Sequence, residues 1–220
     1  MESLFSGNMT GVMPAWLLLV ALGGYLLGSM NGAIITSGLF YHDDIREHGS
    51  GNAGLTNFYR TYGGKHIALV LLIDMGKGAL AVLLGALFFS NAFGRYFAGF
   101  FCLLGHMFPA YYHFKGGKGV LCCGMILLLL DWRLALVCWG AFLLAVVVTR
   151  YVSLGSVCAA AMFPVMTYHI YSGETAAFVI SILMAGLVIW AHRGNIDRLL
   201  HGTESKFKLY RNTPKEEKKP

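Results

Sequence analysis

Apolar residues run along the chain in long blocks separated by short polar joints. Seven blocks stand out, at residues 14–36, 67–89, 96–112, 120–130, 134–149, 154–171 and 176–191. A helix needs roughly 20 apolar residues to cross the hydrocarbon core of a bilayer, and several of these blocks are that long. Helices that are apolar on every side show no useful amphipathic period, so length and flanking residues locate the elements here. The pattern predicts an all-α, polytopic membrane protein with about seven transmembrane helices; the short 120–130 block leaves six as the alternative. There is no internal repeat. The expected organisation is one membrane-embedded domain over residues 1–206 and a basic cytoplasmic tail over 207–220.

Composition agrees with this pattern. Hydrophobic residues make up 56% of the chain and charged residues only 13%, against about 25% charged in an ordinary soluble domain. The 28 glycines suit close helix contact in lipid. Net charge is +6, and six of the seventeen lysines and arginines lie in the tail KFKLYRNTPKEEKKP. That tail fits a solvated segment beside an anionic leaflet. It lacks the interleaved aromatics of a nucleic-acid platform, so no nucleic-acid partner is expected. Cys102, Cys122, Cys123, Cys138 and Cys158 lie in or beside apolar blocks without CxxC spacing. They read as small hydrophobes rather than a disulfide or zinc framework. No metal or organic cofactor is indicated. No Lys or Arg precedes the first block, unlike a cleaved signal peptide.

Flanking cations give an orientation. With seven spans, Arg46, Arg60, Lys65, Lys115, Lys118, Arg150, Arg193, Arg198 and the tail share one side. Glu2, Arg95, Asp131, Arg133 and Glu174 take the other. The first side is then cytoplasmic, with the N-terminus outside and the C-terminus inside. This places three polar segments on the cytoplasmic face.

The first segment is GSGNAGLTNFYR (49–60). Its glycines let backbone approach a ligand, Ser50, Asn52, Thr56 and Asn57 offer donors, and Arg60 offers a planar fork for phosphate or carboxylate. An ordinary turn is the alternative. The second is GHMFPAYYHFKGGKGV (105–120). Lys115, Gly116, Gly117, Lys118 and Gly119 resemble a phosphate cradle of freed N–H groups between two cations; a flexible positive-inside turn is the alternative. The third is AHRGNIDRLLHGTESKF (191–207). His192 and Asn195 share a helix face, and Glu204, following a turn at Gly202, is grouped with the substrate-binding residues.

Other polar residues carry weaker signals. Asp74 and Lys77 lie one helical turn apart inside the second block, where charges are paired or functional; a structural pair is the preferred reading. His42, Asp43, Asp44 and His48 read as loop polars more readily than as a metal site. His192 and Asp197 fit the H-x4-D pattern of the acyl-CoA-type glycerolipid acyltransferases. With eight histidines and five aspartates in the chain, a chance match is unsurprising, and the glycine-and-proline partner block is missing.

Taken together, the three segments, with IDMGKG (73–78) and RYVSLGS (150–156), resemble the bacterial acyl-phosphate:glycerol-3-phosphate acyltransferase family. Their order, spacing and the chain length are similar as well. Leu55 stands where that family usually has Ala, and Leu121-Cys122 where it has Ala-Thr; the latter removes a hydroxyl near the cradle. The resemblance implies acyl transfer from acyl phosphate to the 1-hydroxyl of glycerol 3-phosphate in the cell membrane, giving lysophosphatidic acid and phosphate. It also implies a functional link to a soluble enzyme that makes acyl phosphate.

The residues suit such chemistry. Two phosphate-bearing substrates need two groups of donors and cations, and an acyl phosphate already carries a good leaving group, so positioning and charge stabilisation suffice. Arg60 and Lys118 are expected to hold phosphate, helped by Ser50 and the 116–119 backbone, with Lys115 serving the second phosphate. Asn195 orients substrate or the developing oxyanion. His192 is the general base unless a substrate phosphate takes the proton. Ser156 joins the list by resemblance, with helix packing as its alternative role. An anion transporter is the competing function class, since cationic loops and glycine-broken helices would serve it too.

Overall fold

The computed structural model describes residues 9–207. Among these the regular structure is entirely helical. The α-helices are α1 (Met9–Ser29), α2 (Gly32–Tyr41), α3 (Leu55–Tyr62), α4 (Ile67–Phe88), α5 (Ala92–Met107), α6 (Val120–Leu130), α7 (Trp132–Thr149), α8 (Val152–Ile170), α9 (Thr175–Ala191) and α10 (Arg193–Leu200). Two short 3-10 turns, Ile45–Glu47 and Ala110–Tyr112, punctuate the polar joints. The basic tail lies outside the described residues beyond Phe207.

Pro14–Tyr41, Ile67–Phe88, Trp132–Thr149 and Val152–Ile170 are long and apolar enough to cross a membrane. The pair α9 and α10, bent by 56° at His192, makes a fifth if taken as one span. The remaining two predicted blocks are shorter as helices. The 16 residues of α5 reach about 24 Å and the 11 of α6 about 16 Å, less than the ~30 Å hydrocarbon core. The 96–112 block ends as helix at Met107 because Pro109 supplies no N–H to continue it.

The first predicted block, 14–36, is not one helix. It breaks at Met30–Asn31, and Asn31 restarts the chain as α2: its Oδ1 accepts from the Ile34 N–H at 3.1 Å. The first polar segment, 49–60, is more than a glycine-rich turn, because α3 begins within it at Leu55. Phe58 and Tyr62 lie on one face of α3 and pack on Tyr41, which stacks on Tyr62 at 4.0 Å, above buried Ile45 and Val70. Arg60 is left on the exposed side.

The bundle core is built from Tyr96, Leu103, Ile126, Leu134, Phe163 and Met184, among others. Helix α1 packs on α4 and α5, α7 on α6 and α8, and α9 on α5 and α8. Gly105 lets α1 and α5 touch, since a Cβ there would lie 2.1 Å from the Tyr25 carbonyl. Leu72, Leu83, Leu87, Leu144, Val147 and Val148 remain exposed, as lipid-facing side chains do and a water-facing surface rarely does.

Asp74 and Lys77 do pair, at 2.9 Å and nearly fully buried. They also serve the break in the first block. Asp74 Oδ1 accepts from the Gly32 N–H at 3.0 Å, and Lys77 Nζ donates to the Met30 carbonyl at 2.7 Å. Lys77 Nζ lies 2.7 Å from His106 Nδ1 as well, which makes that nitrogen the acceptor. Non-helical backbone at membrane depth survives only where its polar groups find partners, and this pair supplies them. Replacing Lys77 by Met leaves a buried carboxylate unpaired. The expected loss is about 3–5 kcal/mol, read as a lower unfolding midpoint in detergent, with more than half recovered in the Asp74→Asn/Lys77→Met double variant.

Candidate active site at converging helix N-termini

One cavity of about 590 Å³ is lined by residues from all three polar segments and from the start of α8. Four helices begin at it. Gly54, Leu55 and Thr56 open α3, Gly119, Val120 and Leu121 open α6, Val152 and Ser153 open α8, and His192 precedes α10; all line the cavity. None of these four N-termini carries a side-chain cap hydrogen bond. Uncapped first-turn N–H groups and the positive ends of helix dipoles favour an anion at α3, α6 and α8; at α10 the Asn195 N–H is already given to the His192 carbonyl at 2.8 Å. Arg60, Lys118 and Arg198 add positive charge, set against Asp74 and Glu204.

Glu204 organises the cationic side. Its Oε1 accepts from Ser153 Oγ and from Asn195 Nδ2, each at 2.7 Å, and its Oε2 from Arg198 Nε at 2.8 Å. Burial works against its charge, but the hydrogen bonds from Asn195, Ser153 and Arg198 more than offset this and hold the carboxyl below its ordinary range. Asn195 Oδ1 in turn accepts from Lys118 Nζ. The backbone carrying Glu204 lies across the site as a strap: Arg60 donates to the Ser205 carbonyl at 3.4 Å, and the Phe207 N–H donates to the Arg150 carbonyl at 2.7 Å.

Of the predicted residues, Ser50, Asn52, Asn57, Arg60, Lys118, Gly119, Ser156, His192, Asn195 and Glu204 line the cavity. Lys115, Gly116 and Gly117 do not, and the cradle expected from them needs correction. The Gly116 N–H donates to the Met107 carbonyl and the Gly117 N–H to the His106 carbonyl, both at 3.1 Å. These glycines are packing devices: a Cβ on Gly117 would come within 2.4 Å of both the Ala53 carbonyl and His106 Nε2. Lys115 is exposed, and its carbonyl accepts from Arg46 at 3.1 Å. Asn57 builds the first loop, accepting from the Ser50 N–H at 3.0 Å while donating to the Ile45 and His48 carbonyls. Glu204, with three protein donors, positions other side chains.

His192 is buried, with Nδ1 2.8 Å from the Val188 carbonyl. A proton on Nδ1 leaves Nε2 as the basic nitrogen. Asp197 does not complete an H-x4-D pair: it is exposed and faces His201 at 3.4 Å. Three of the loop polars near residue 43, namely Asp43, Asp44 and His48, find protein partners. Asp43 accepts from Tyr62 at 2.8 Å and pairs with His48 at 2.7 Å, and Asp44 pairs with Arg46. Sequence reasoning did not select Ser153, His106 or Arg198 for the site. Asp74, the structural partner of Lys77, also lines the cavity; its signals along the chain are a charge at membrane depth and its place in IDMGKG.

The family model described as glycerol-3-phosphate acyltransferase matches residues 18–202. The chain belongs to the glycerol-3-phosphate acyltransferase family. A family member of that name from Synechococcus sp. (strain CC9902) is 42% identical over 192 residues, 87% of this chain and 94% of that protein. One from Brucella ovis is 40% identical over 197 residues, 90% of this chain and 96% of the relative. Among solved structures, PlsY (YgiH), an integral membrane glycerol 3-phosphate acyltransferase in its glycerol 3-phosphate form, superposes with a TM-score of 0.81 at 33% identity, covering 87% of this chain and 96% of that one. Its lysophosphatidic acid form gives a TM-score of 0.78 at 31% identity, covering 88% and 96%. The chain is thus a multi-pass membrane acyltransferase of the glycerol-3-phosphate family.

Two predictions concern charge in this family member's cavity. Burial, opposed by Glu204 and aided by Arg198 and Arg60, lowers Lys118 to about 8. Lys118 is therefore cationic below that pH and loses its charge above it, while a phosphate monoester gains its second charge above about pH 6. Phosphate-monoester affinity should peak between these limits, and Lys118→Arg should move the alkaline limb upward, as binding titrations across pH would read. Glu204→Ala removes the acceptor that aligns Ser153, Asn195 and Arg198. A displacement near 1 Å costs about 10²-fold in rate, so a loss of that size in kcat/KM is expected, together with a stability loss of about 1–3 kcal/mol from the donors left unpaired, read as a lower unfolding midpoint.

Proposed function

We propose that this family member transfers a fatty acyl group from acyl phosphate to the 1-hydroxyl of glycerol 3-phosphate, releasing lysophosphatidic acid and inorganic phosphate. One observation carries the reading: the polar cavity is joined to an apolar groove. The groove, about 290 Å³, runs between α6, α7, α8 and α9, with Met75 of α4 also in its wall, and shares Val120, Leu121, Phe142 and Ser156 with the cavity. A molecule with phosphate at one end and a hydrocarbon chain at the other matches this pairing.

In this reading the two phosphates occupy the cavity, held by Arg60, Lys118, Ser50, Asn52 and the α3 and α6 N-termini. The acyl chain lies in the groove with its carbonyl near Ser156. The glycerol hydroxyl oxygen attacks the carbonyl carbon, and the carbon–oxygen bond to phosphate breaks. The phosphate leaves with that electron pair. The hydroxyl proton passes to His192 Nε2 or to a phosphate oxygen. One N–H of Asn195 is committed to Glu204, and the other serves the developing oxyanion. Positioning and charge stabilisation provide the rate, because the mixed anhydride is already activated.

The same reading has seven crossings, with the N-terminus outside and the C-terminus and site cytoplasmic, where positive charge accumulates. It keeps residues 1–206 as one catalytic unit with a basic tail over 207–220, and places a soluble acyl-phosphate-producing enzyme upstream.

Purified protein in lipid should form lysophosphatidic acid from palmitoyl phosphate and glycerol 3-phosphate, and none from palmitoyl-CoA. Product from the thioester alone would overturn the donor assignment. Uptake of glycerol 3-phosphate into sealed vesicles without a donor would instead favour transport. In His192→Ala, turnover should fall by roughly 10²–10⁴-fold if Nε2 is the base; near-normal turnover assigns the proton to phosphate.

A further inference from the structure

The apolar groove is much shorter than a fatty acyl chain. Its wall on α6 runs from Val120 to Leu127 and its wall on α8 from Ser156 to Phe163. Each wall is therefore about 10 Å deep at the rise of an α-helix. The walls on α7 and α9 are shorter, from Phe142 and Leu143 to Trp139 and from Val188 to Met184. An extended alkyl chain with C–C bonds near 1.5 Å advances about 1.3 Å per carbon. The groove thus holds roughly eight carbons at helical depth of that size.

The side of the groove is open. Leu143 and Trp139 line it, yet are 58% and 37% exposed on the lipid-facing surface of the bundle. At the other end, Val120, Leu121, Phe142 and Ser156 belong to both groove and cavity. A carbonyl reacting at the junction places the first carbons of its chain between these side chains.

We propose that the groove reads only the first eight or so carbons of the acyl chain, and that Leu121 and Phe142 set the cross-section admitted at the throat. This rests on the acyl-transfer reading above. The distal half of a long chain leaves past Leu143 and Trp139 into the bilayer. Lipid tails are as apolar as leucine, so distal carbons sit in equivalent surroundings before and during binding, and their contribution cancels. Carbons within the groove do not cancel, because a chain too short to fill it leaves wall atoms without contacts.

The test is kcat/KM for an acyl phosphate series at equal mole fraction in vesicles. Lauroyl, palmitoyl and stearoyl phosphates should agree within about twofold, because their distal carbons remain in lipid. Butyryl phosphate should be at least roughly tenfold poorer. Palmitoyl phosphate with a 2-methyl branch should be a poor substrate, and Leu121→Ala should improve its ratio to the straight chain by roughly tenfold. Ala159→Phe, which fills the groove below the throat, should depress the three long chains alike and shift their ratio to butyryl by roughly tenfold. Discrimination above about tenfold among the three long chains, with palmitoyl turnover intact, would overturn the eight-carbon limit and leave acyl transfer standing. An unchanged branched-to-straight ratio in both Leu121→Ala and Phe142→Ala would overturn the throat assignment. Absence of turnover with every acyl phosphate would overturn acyl transfer and this inference together.

Discussion

Asp74 and Lys77 meet one helical turn apart inside the apolar bundle, and the active side of the molecule is built on that meeting. The first apolar block has to break so that the chain can turn into α2 and the first polar segment. A break at this depth exposes the Met30 carbonyl and the Gly32 N–H where water is scarce. Lys77 and Asp74 take up those two groups, and each neutralises the other. Lys77 also fixes His106, whose carbonyl anchors the Gly117 end of the second segment. One ion pair thereby ties α1, α2, α4 and α5 to the floor of the cavity.

Above that floor, the dominant contribution is oriented backbone. Helix N-termini carry partial positive charge that needs no rearrangement when an anion arrives. Four of them open on one cavity, and Lys118, Arg60 and Arg198 stand among them. Uncompensated, so many cations would repel one another. Glu204 supplies the compensation from the strap after α10, and in doing so aligns Ser153, Asn195 and Arg198. The same cavity opens onto an apolar groove, and the two share a single wall at Leu121 and Phe142.

Much of the site was legible because polar residues stand out in an apolar chain. Ser50, Arg60, Lys118, His192 and Asn195 come from segments that lipid cannot solvate, and all reach the cavity. The errors arose where a residue's role depends on its partner. The Lys-Gly-Gly-Lys run looked like a source of free N–H groups, but Gly116 and Gly117 give theirs to the end of α5. Glu204 lines the cavity, and only the fold shows that it also accepts from three neighbours. Asn57 offered donors, and its amide is taken up within its own loop. Ser153 lies in the RYVSLGS block, but nothing along the chain distinguishes it there from Ser156 as the serine that meets Glu204.

The sequence by itself determined the solvent and the inventory. Long apolar blocks require a bilayer because too few charges remain to cover them in water, and the polar donors of three short segments, with Arg60, Lys118 and Arg198 among them, stand out against that background. Tertiary structure decided the rest: which helices begin at the same point, which N–H groups stay uncapped, and how deep the groove runs. Those are distances between residues far apart in the chain, and hydropathy carries no information about them. The break at Met30–Asn31 shows the division. Its composition is legible along the chain, but its stability comes from two side chains more than forty residues away.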